Sequence, residues 1–476
     1  MIPHKKTKIV ATIGPATETV EMLTKLKKAG MNVCRLNFSH GDHAEHQQKI
    51  DNIRKVRKDT GRPLAILQDL SGPKIRTGEF GTESGRITLK KGKTFTFTTE
   101  KIVGDETKVY VNYPTLPKEL KKGNIVLVDD GKKKLEVIKT TEKEVVCKVL
   151  VGGETKGRRG VNLPGAYLKV SSLTKKDKKD LEFGVKNKVD YIALSFVRRP
   201  EDIKELRTIL KRKKLDAQII AKIETQEAIE NLEAIITETD GVMVARGDLA
   251  IEIPAEQVPL IQKEIIERCN ALGKPVITAT QMLESMINSP VPTRAEVSDV
   301  ANAILDGTDA VMLSEETTLG EYSVEAVEVM TKVALEIEAN TGVDIALNKH
   351  EGEGYVDVAD SISASVANTA QDIGAELIFV LTESGFSARM VSRFKPEASI
   401  ITATPNERTF HKLALISGCY PVLVKRQKTL DAVMENIREY CIKNKLAKKK
   451  DKVVVVAGVP FNDLAIPTNM LLVEEI

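Results

Sequence analysis

The chain has 476 residues, 42% apolar and 29% charged, the composition of a soluble globular protein whose length suits about three domains. Its 71 basic and 67 acidic residues leave a net charge of +4, too small to make nucleic acid or an anionic membrane the main partner. No apolar run approaches the ~20 residues that span a bilayer, and five scattered cysteines without metal-ligand spacing suit reduced thiols in the cytoplasm.

The N-terminus, MIPHKKTKIVATIG, carries no apolar stretch of signal-peptide length. The first strand pattern begins at once, at 8–14 (KIVATIG). A helical pattern at 18–29 follows, then strand-like runs at 32–39 (NVCRLNFS) and 64–70 (LAILQDL). Each run is short and apolar and turns polar at its C-terminal end. The fourth comes only at 190–197 (DYIALSFV), because about a hundred residues, Gly72 to Val170, intervene. That stretch is rich in Thr, Val, Lys and Gly. Its runs RITL, TFTFTT, KVYV, NIVLV and KEVVCKVLV read as short antiparallel strands between turn signals such as Asp130-Gly131.

The grammar then resumes at 218–224 (QIIAKIE), 241–248 (GVMVARGD), 275–281 (PVITATQ) and 310–316 (AVMLSEE), separated by helical patterns at 200–212, 226–237, 256–271 and 293–306. Near-continuous apolar runs mark buried parallel strands. Eight of them alternating with helices predict a closed (β/α)8 TIM barrel, whose active site lies at the C-terminal strand ends. The insertion is expected to be a β-barrel lid at that mouth. A polar linker, 345–353, precedes helix 355–372, strand LIFVLT, helix 385–395, strand SIITAT, helix 406–416, strand YPVLVK, helix 428–446, strand KVVVVAG and the run NMLLVEE, a three-layer α/β domain. The expected division is 1–72 with 171–344 for the barrel, 73–170 for the lid and 345–476 for the C-terminal α/β domain.

In IIAKIE, strand alternation puts Lys222 and Glu224 on one face. Alone, the pair reads equally well as a surface ion pair. The next strand ends ARGD, however, so Glu224 and Asp248 can share one divalent cation from adjacent strands. Two carboxylates with open positions suit Mg²⁺, which keeps waters and takes substrate oxygens; Mn²⁺ is a possible substitute. Lys222 adds a second positive charge, and Gly247 lets a substrate carboxylate approach backbone N–H groups at a helix start. Arg35, Asn37 and Ser39 point one way from the second run, and Thr278 and Thr280 add hydroxyls from the seventh. Each hydroxyl alone is an ordinary turn residue. Together, cations, metal ligands and neutral donors suit phosphoryl transfer, which needs positioning and charge neutralisation rather than covalent chemistry. Of the six histidines only His40 stands at a strand end, no nucleophilic triad suggests itself, and a P-loop is missing.

The stretches KIVATIGPA, CRLNFSHG, GPKIRTG, GVNLPG, AKIE, VARGDLAIEIP, TATQMLESM and PTRAEVSDVANAILDG, spread over essentially the whole chain, resemble those of pyruvate kinases. The resemblance implies transfer of a phosphoryl group from phosphoenolpyruvate to ADP, giving pyruvate and ATP, with Mg²⁺, in many members K⁺, and a homotetramer. It implies that Arg35 binds the phosphoryl group, that Lys222 stabilises it in transfer, that Glu224 and Asp248 hold Mg²⁺, and that Gly247, Asp248 and Thr280 contact the substrate. Asn37, His40, Arg76 and Arg159 match nucleotide contacts, with Arg159 in place of the usual lysine. Asn37, Ser39, Asp69 and the Leu70 carbonyl match a monovalent-cation pocket. Members that require K⁺ carry Glu and Thr where this chain has Lys74 and Leu70, so Lys74 is expected to fill that pocket from within and K⁺ not to be required. In the C-terminal domain, Thr382, Glu383, Ser384, Gly385, Phe386 and Ser387 follow a strand and open a helix, a cradle for a phosphorylated effector. The stretch 461–469 (FNDLAIPTN) lacks the Gly-rich form common in the family, which favours a sugar or nucleoside monophosphate over fructose 1,6-bisphosphate. Ala250 replaces a usual glycine. Two competing readings are a Mg²⁺-dependent barrel lyase acting through a pyruvate enolate, which would need neither lid nor Arg76, and an RNA-binding protein, which 4% unclustered aromatics disfavour.

Overall fold

The computed structural model describes residues 5–340, 357–426, 429–459 and 467–476. Eight parallel strands, Lys8–Thr12, Val33–Asn37, Ala65–Asp69, Tyr191–Leu194, Gln218–Ile223, Gly241–Ala245, Val276–Ala279 and Ala310–Leu313, close into a barrel in sequence order. All but the two strand ends Asn37 and Gln218 are buried. That is why these segments carry no polar alternation: helices cover the outside and side chains fill the inside. Thr19, Thr174 and Thr293 accept hydrogen bonds from the first turns of helices Val20–Ala29, Lys175–Lys186 and Arg294–Leu305, satisfying amides the helices leave unpaired. The helix expected over 226–237 divides at Asn231, whose side-chain amide donates to the carbonyls of Arg198 and Glu227. No described helix is long and apolar enough to cross a membrane.

Between the third and fourth barrel strands stands a six-stranded sheet with its own apolar core, joined by a two-stranded ribbon of Arg86–Leu89 and Gly153–Lys156. Its edge strands, Val161–Asn162 and Lys108–Tyr110, are linked through bridges from Arg76 to Gly160 and from Thr77 to Val111, so residues 76–77 close the sheet into a barrel-like layer. One expectation needs correction. Thr94–Thr98 pairs in parallel with Lys108–Tyr110, because residues 99–107 cross over instead of turning back as a hairpin.

The C-terminal sheet runs Cys419–Leu423, Ser399–Thr404, Leu377–Leu381, Lys452–Ala457, Met470–Glu475, the last strand antiparallel. Ile378 and Val380 face helices Val358–Asp372 and Phe386–Ser392, while Leu377 and Phe379 face helix Leu430–Asn444. This domain also closes the barrel floor. Ala414 and Leu415, fully or nearly fully buried, join the lumen cluster of Val10, Leu67, Tyr191, Ile220 and Met243. Tyr191 Oη donates to the Lys412 carbonyl at 2.6 Å, and Lys8 Nζ to that of Cys419 at 2.7 Å. The linker at 345–353 and most of the loop at 461–469 lie outside the described residues.

Candidate active site

At the C-terminal end of the barrel, Lys222 is the hub. Its Nζ lies 2.8 Å from Glu224 Oε1 and 3.5 Å from Asp69 Oδ1, and donates to Ser195 Oγ at 2.8 Å. Only 8% of Lys222 is exposed, and 1% each of Asp69 and Glu224. Burial disfavours the ammonium, but Asp69 and Glu224 outweigh it and hold the Lys222 pKa above the ordinary lysine value; the group is a permanent cation. Asp69 also takes Arg35 Nε at 2.7 Å, and Arg35 Nη1 donates to Thr12 Oγ1 at 2.9 Å. Burial opposes ionisation of Asp69, yet Lys222, Arg35 and Lys74 together hold its pKa below the usual carboxylate value.

Glu224 goes the other way. Burial, with Asp248 adding repulsion, raises its pKa against the pull of Lys222. Its Oε2 accepts from the Phe196 amide at 2.7 Å, whereas the buried Oε1 takes no well-aligned hydrogen bond. Two neighbouring acids, Asp248 and a Glu224 whose Oε1 is met by the Lys222 ammonium alone, fit a divalent cation. Among the described residues no group of three or more His, Cys, Asp or Glu converges on one point, so the remaining ligands of such an ion would be water and substrate, the habit of Mg²⁺.

Gly247 and Asp248 stand in the first turn of helix Arg246–Glu252. The Gly247 amide donates to Thr280 Oγ1 at 2.8 Å, and Arg246 Nη2 donates to the Thr280 carbonyl at 2.7 Å. Thr280 is held at φ 72°, a region a β-branched residue avoids unless its surroundings impose it. Thr278 turns instead to Thr308 inside the barrel wall, fully buried. Ala250 lies inside the same helix and is absent from the left-handed region, so a side chain is accommodated there.

Asn37 Oδ1 accepts from the Ser39 amide at 3.1 Å, and the Leu70 carbonyl accepts from Ser195 Oγ at 2.7 Å. Lys74 stands apart from them. Its side chain is exposed and makes no hydrogen bond or ion pair among the described residues; it acts on Asp69 and His40 by charge alone. Lys222 and Arg35 are the cations in contact with Asp69. Arg76 is exposed and Arg159 pairs with Asp129 at 3.1 Å. Both line a cleft of about 250 Å³ between the inserted domain and the barrel, along with Lys74, Arg198, Asp248 and Glu252. His40 is exposed beside it, its pKa lowered by burial and by Lys74, Arg76 and Arg35.

Sequence reasoning missed Thr12, Ser195 and the Phe196 amide. Ser195 ends the fourth strand run as Lys222 ends the fifth, so its position was the available signal; a small hydroxyl next to Phe simply carries no charge to mark it.

In the C-terminal domain, Thr382 Oγ1 accepts from the Gly385 amide at 2.9 Å and Ser384 Oγ from that of Phe386 at 3.3 Å, while Ser387 Oγ accepts from Thr468 at 2.7 Å. Glu383 pairs with Arg426 at 2.8 Å. These residues edge a cavity of about 360 Å³ with Lys425 and Arg426 on one side and Phe379, Leu381 and Tyr440 as apolar wall.

Residues 4–327 match the family model "Pyruvate kinase, barrel domain" and residues 360–474 match "Pyruvate kinase, alpha/beta domain". The chain is 45% identical to a pyruvate kinase of Clostridium acetobutylicum, over 99% of each chain. Pyruvate kinases of Geobacillus stearothermophilus and Staphylococcus saprophyticus are each 46% identical, over 99% and 98% of this chain and 80% of theirs. A crystal structure of a pyruvate kinase from Cryptosporidium parvum superposes with a TM-score of 0.94 at 37% identity, covering 99% of this chain and 96% of that one.

Proposed function

The chain belongs to the pyruvate kinase family, and from that premise we propose how its residues perform the reaction. It is a phosphotransferase of glycolysis: the phosphoryl group of phosphoenolpyruvate passes to ADP, giving pyruvate and ATP. The lyase and RNA-binding readings fall away with that membership. The observation that carries the assignment of roles is the buried Lys222 ammonium held between Glu224 and Asp69 at the barrel mouth.

Arg35, fixed by Asp69 and Thr12, takes phosphoryl oxygens of the substrate. Lys222 lies where charge builds on the transferring group, and its permanent charge needs no reorganisation as the transition state forms. Glu224 and Asp248 would hold Mg²⁺ or Mn²⁺, which when bound supplies Lewis-acid neutralisation of substrate oxygens. Gly247 and Thr280 contact the substrate, and the enolate takes its proton through Thr280 or a water held by it. Asn37, His40, Arg76 and Arg159 contact the nucleotide, and the inserted domain, residues 73–170, closes over ADP to exclude water. The pocket of Asn37, Ser39, Asp69 and Leu70 is supplied with positive charge by the chain itself, Lys74 adding to it from outside, so K⁺ is not required. We further propose a cytoplasmic homotetramer in which the loop Thr382–Ser387, facing Lys425 and Arg426, binds a phosphorylated effector, a sugar or nucleoside monophosphate. Effector titration tests that last point: no monophosphate shifting the phosphoenolpyruvate saturation curve would remove it.

A lactate dehydrogenase-coupled assay tests the reaction. Pyruvate should form only with phosphoenolpyruvate, ADP and Mg²⁺ all present. Pyruvate formation without ADP would mean hydrolysis to inorganic phosphate and would contradict transfer to the nucleotide.

A further inference from the structure

We propose that the dipeptide Ser195–Phe196, just past the fourth barrel strand, is a positioning element that ties the base of the inserted domain to the Lys222–Glu224 pair. The proposal rests on the catalytic reading of Lys222.

Ser195 is 2% exposed. Its hydroxyl accepts from Lys222 Nζ at 2.8 Å and donates to the Leu70 carbonyl at 2.7 Å. An ammonium only donates, so the hydroxyl proton turns away from Lys222, to the Leu70 carbonyl at 2.7 Å with Asp69 Oδ1 the longer alternative at 3.5 Å. The Ser195 lone pair is thereby aimed at Lys222. Next to it, the Phe196 amide donates to Glu224 Oε2 at 2.7 Å, a charge-assisted bond. Phe196 holds φ 53°, a conformation an aromatic residue adopts only where its neighbours enforce it. One dipeptide thus fixes the cation through a side chain and the carboxylate through the backbone.

The same dipeptide touches both chain segments that join the barrel to its insertion. On the way out, Gly72 sits at φ 65°, and a Cβ there would lie 2.8 Å from Phe196 Cδ2 and 3.0 Å from Ser195 Cβ. On the way back, Ser172 Oγ donates to the Phe196 carbonyl at 2.8 Å. A shift of either segment is passed to Ser195 and Phe196, and from them to Lys222 and Glu224. The inserted domain's position and the placing of the ammonium are one mechanical system.

A double-mutant cycle decides the matter. Ser195→Ala should lower kcat by about 10- to 100-fold, the scale of a small misplacement at the reacting centre, with the KM for phosphoenolpyruvate within about threefold. In a Lys222→Met background the same change should cost nothing further, because its effect runs through Lys222. Gly72→Ala should lower kcat and also weaken Mn²⁺ binding to the substrate-free protein, measured by electron paramagnetic resonance, since it displaces the Phe196 amide from Glu224. Ser195→Ala should leave that Mn²⁺ affinity unchanged. Gly61→Ala is the control: φ is 61° and nothing lies within 4 Å of its added Cβ, so it carries the backbone strain without the collision and should keep full kcat. Melting curves identify the folded fraction to which each kcat refers. Equal proportional losses from Ser195→Ala in both backgrounds, or Gly72→Ala behaving like Gly61→Ala, overturn the coupling alone. An undiminished kcat in Lys222→Met overturns the role of Lys222 and the coupling with it.

Discussion

Replacing Lys222 by Met keeps the length of the side chain and removes its charge. In the native site the ammonium lies 2.8 Å from Glu224 and 3.5 Å from Asp69. At an effective dielectric of about 20, each attraction is about 5–6 kcal/mol before desolvation is subtracted. Breaking one partner out of such a buried set costs about 3–5 kcal/mol net, and here Asp69 keeps Arg35 at 2.7 Å, so Glu224 bears most of it. Losing a preorganised charge at the transition state should also lower kcat by at least about 10²–10³-fold. The stability loss has a definite pH sign. Burial already raises the Glu224 pKa, and Lys222 is what opposes it. Without Lys222 the folded-state pKa rises further above the unfolded value near about 4.3. Stability from such a group is full below the unfolded pKa and is lost as pH rises through the folded one. The melting temperature of Lys222→Met, measured by calorimetry in chelator, should therefore fall furthest below wild type at pH 8 and approach it toward pH 5. A kcat within tenfold of wild type, or a melting deficit that is the same at pH 5 and pH 8, would refute this reasoning.

Three further outcomes are expected. The wild-type chain should be fully active in sodium or Tris buffer without K⁺, and Lys74→Glu, which reverses a charge acting on Asp69 and His40, should lower that activity and recover part of it when K⁺ is added; strong K⁺ activation of the wild type would contradict this. Burial pushes the Glu252 carboxyl up to about 7, so its contribution to stability fades as pH rises from about 4 to 7; Glu252→Gln should exceed wild type in unfolding free energy by on the order of 1–3 kcal/mol at pH 8 and by little at pH 5, read by denaturant unfolding. Leu415, fully buried in the barrel floor, should cost about 2–5 kcal/mol as Leu415→Ala, read by denaturant unfolding, unless the two domains unfold independently.

The barrel was legible because burial on both faces leaves an unmistakable mark: runs such as KIVAT and AILQD hold no alternation to confuse with a hairpin. The charged site was legible for the same reason in reverse, since Lys222, Glu224 and Asp248 interrupt apolar runs at one recurrent place. What the sequence hid was contact between distant segments. Nothing in LALIS says that Leu415 fills the lumen of another domain, and nothing in SF says that a hydroxyl and an amide grip Lys222 and Glu224. Which cations contact Asp69 was hidden in the same way: Lys222 and Arg35 reach it from other strands, while Lys74, nearest in sequence, acts on it only by charge. The parallel pairing of Thr94–Thr98 with Lys108–Tyr110 depends on the path of residues 99–107, which turn residues alone do not encode.

A barrel mouth that moves a phosphoryl group from an enol phosphate to a nucleoside diphosphate, and that needs the Lys222 charge to do so, can be watched at the phosphorus atom. Phosphorus-31 NMR on a mixture of phosphoenolpyruvate, ADP, Mg²⁺ and enzyme follows that atom directly. The enol-phosphate resonance should be replaced by the γ-phosphate resonance of ATP at a rate that collapses in Lys222→Met. Conversion to inorganic phosphate, or an equal rate in the variant, would contradict it.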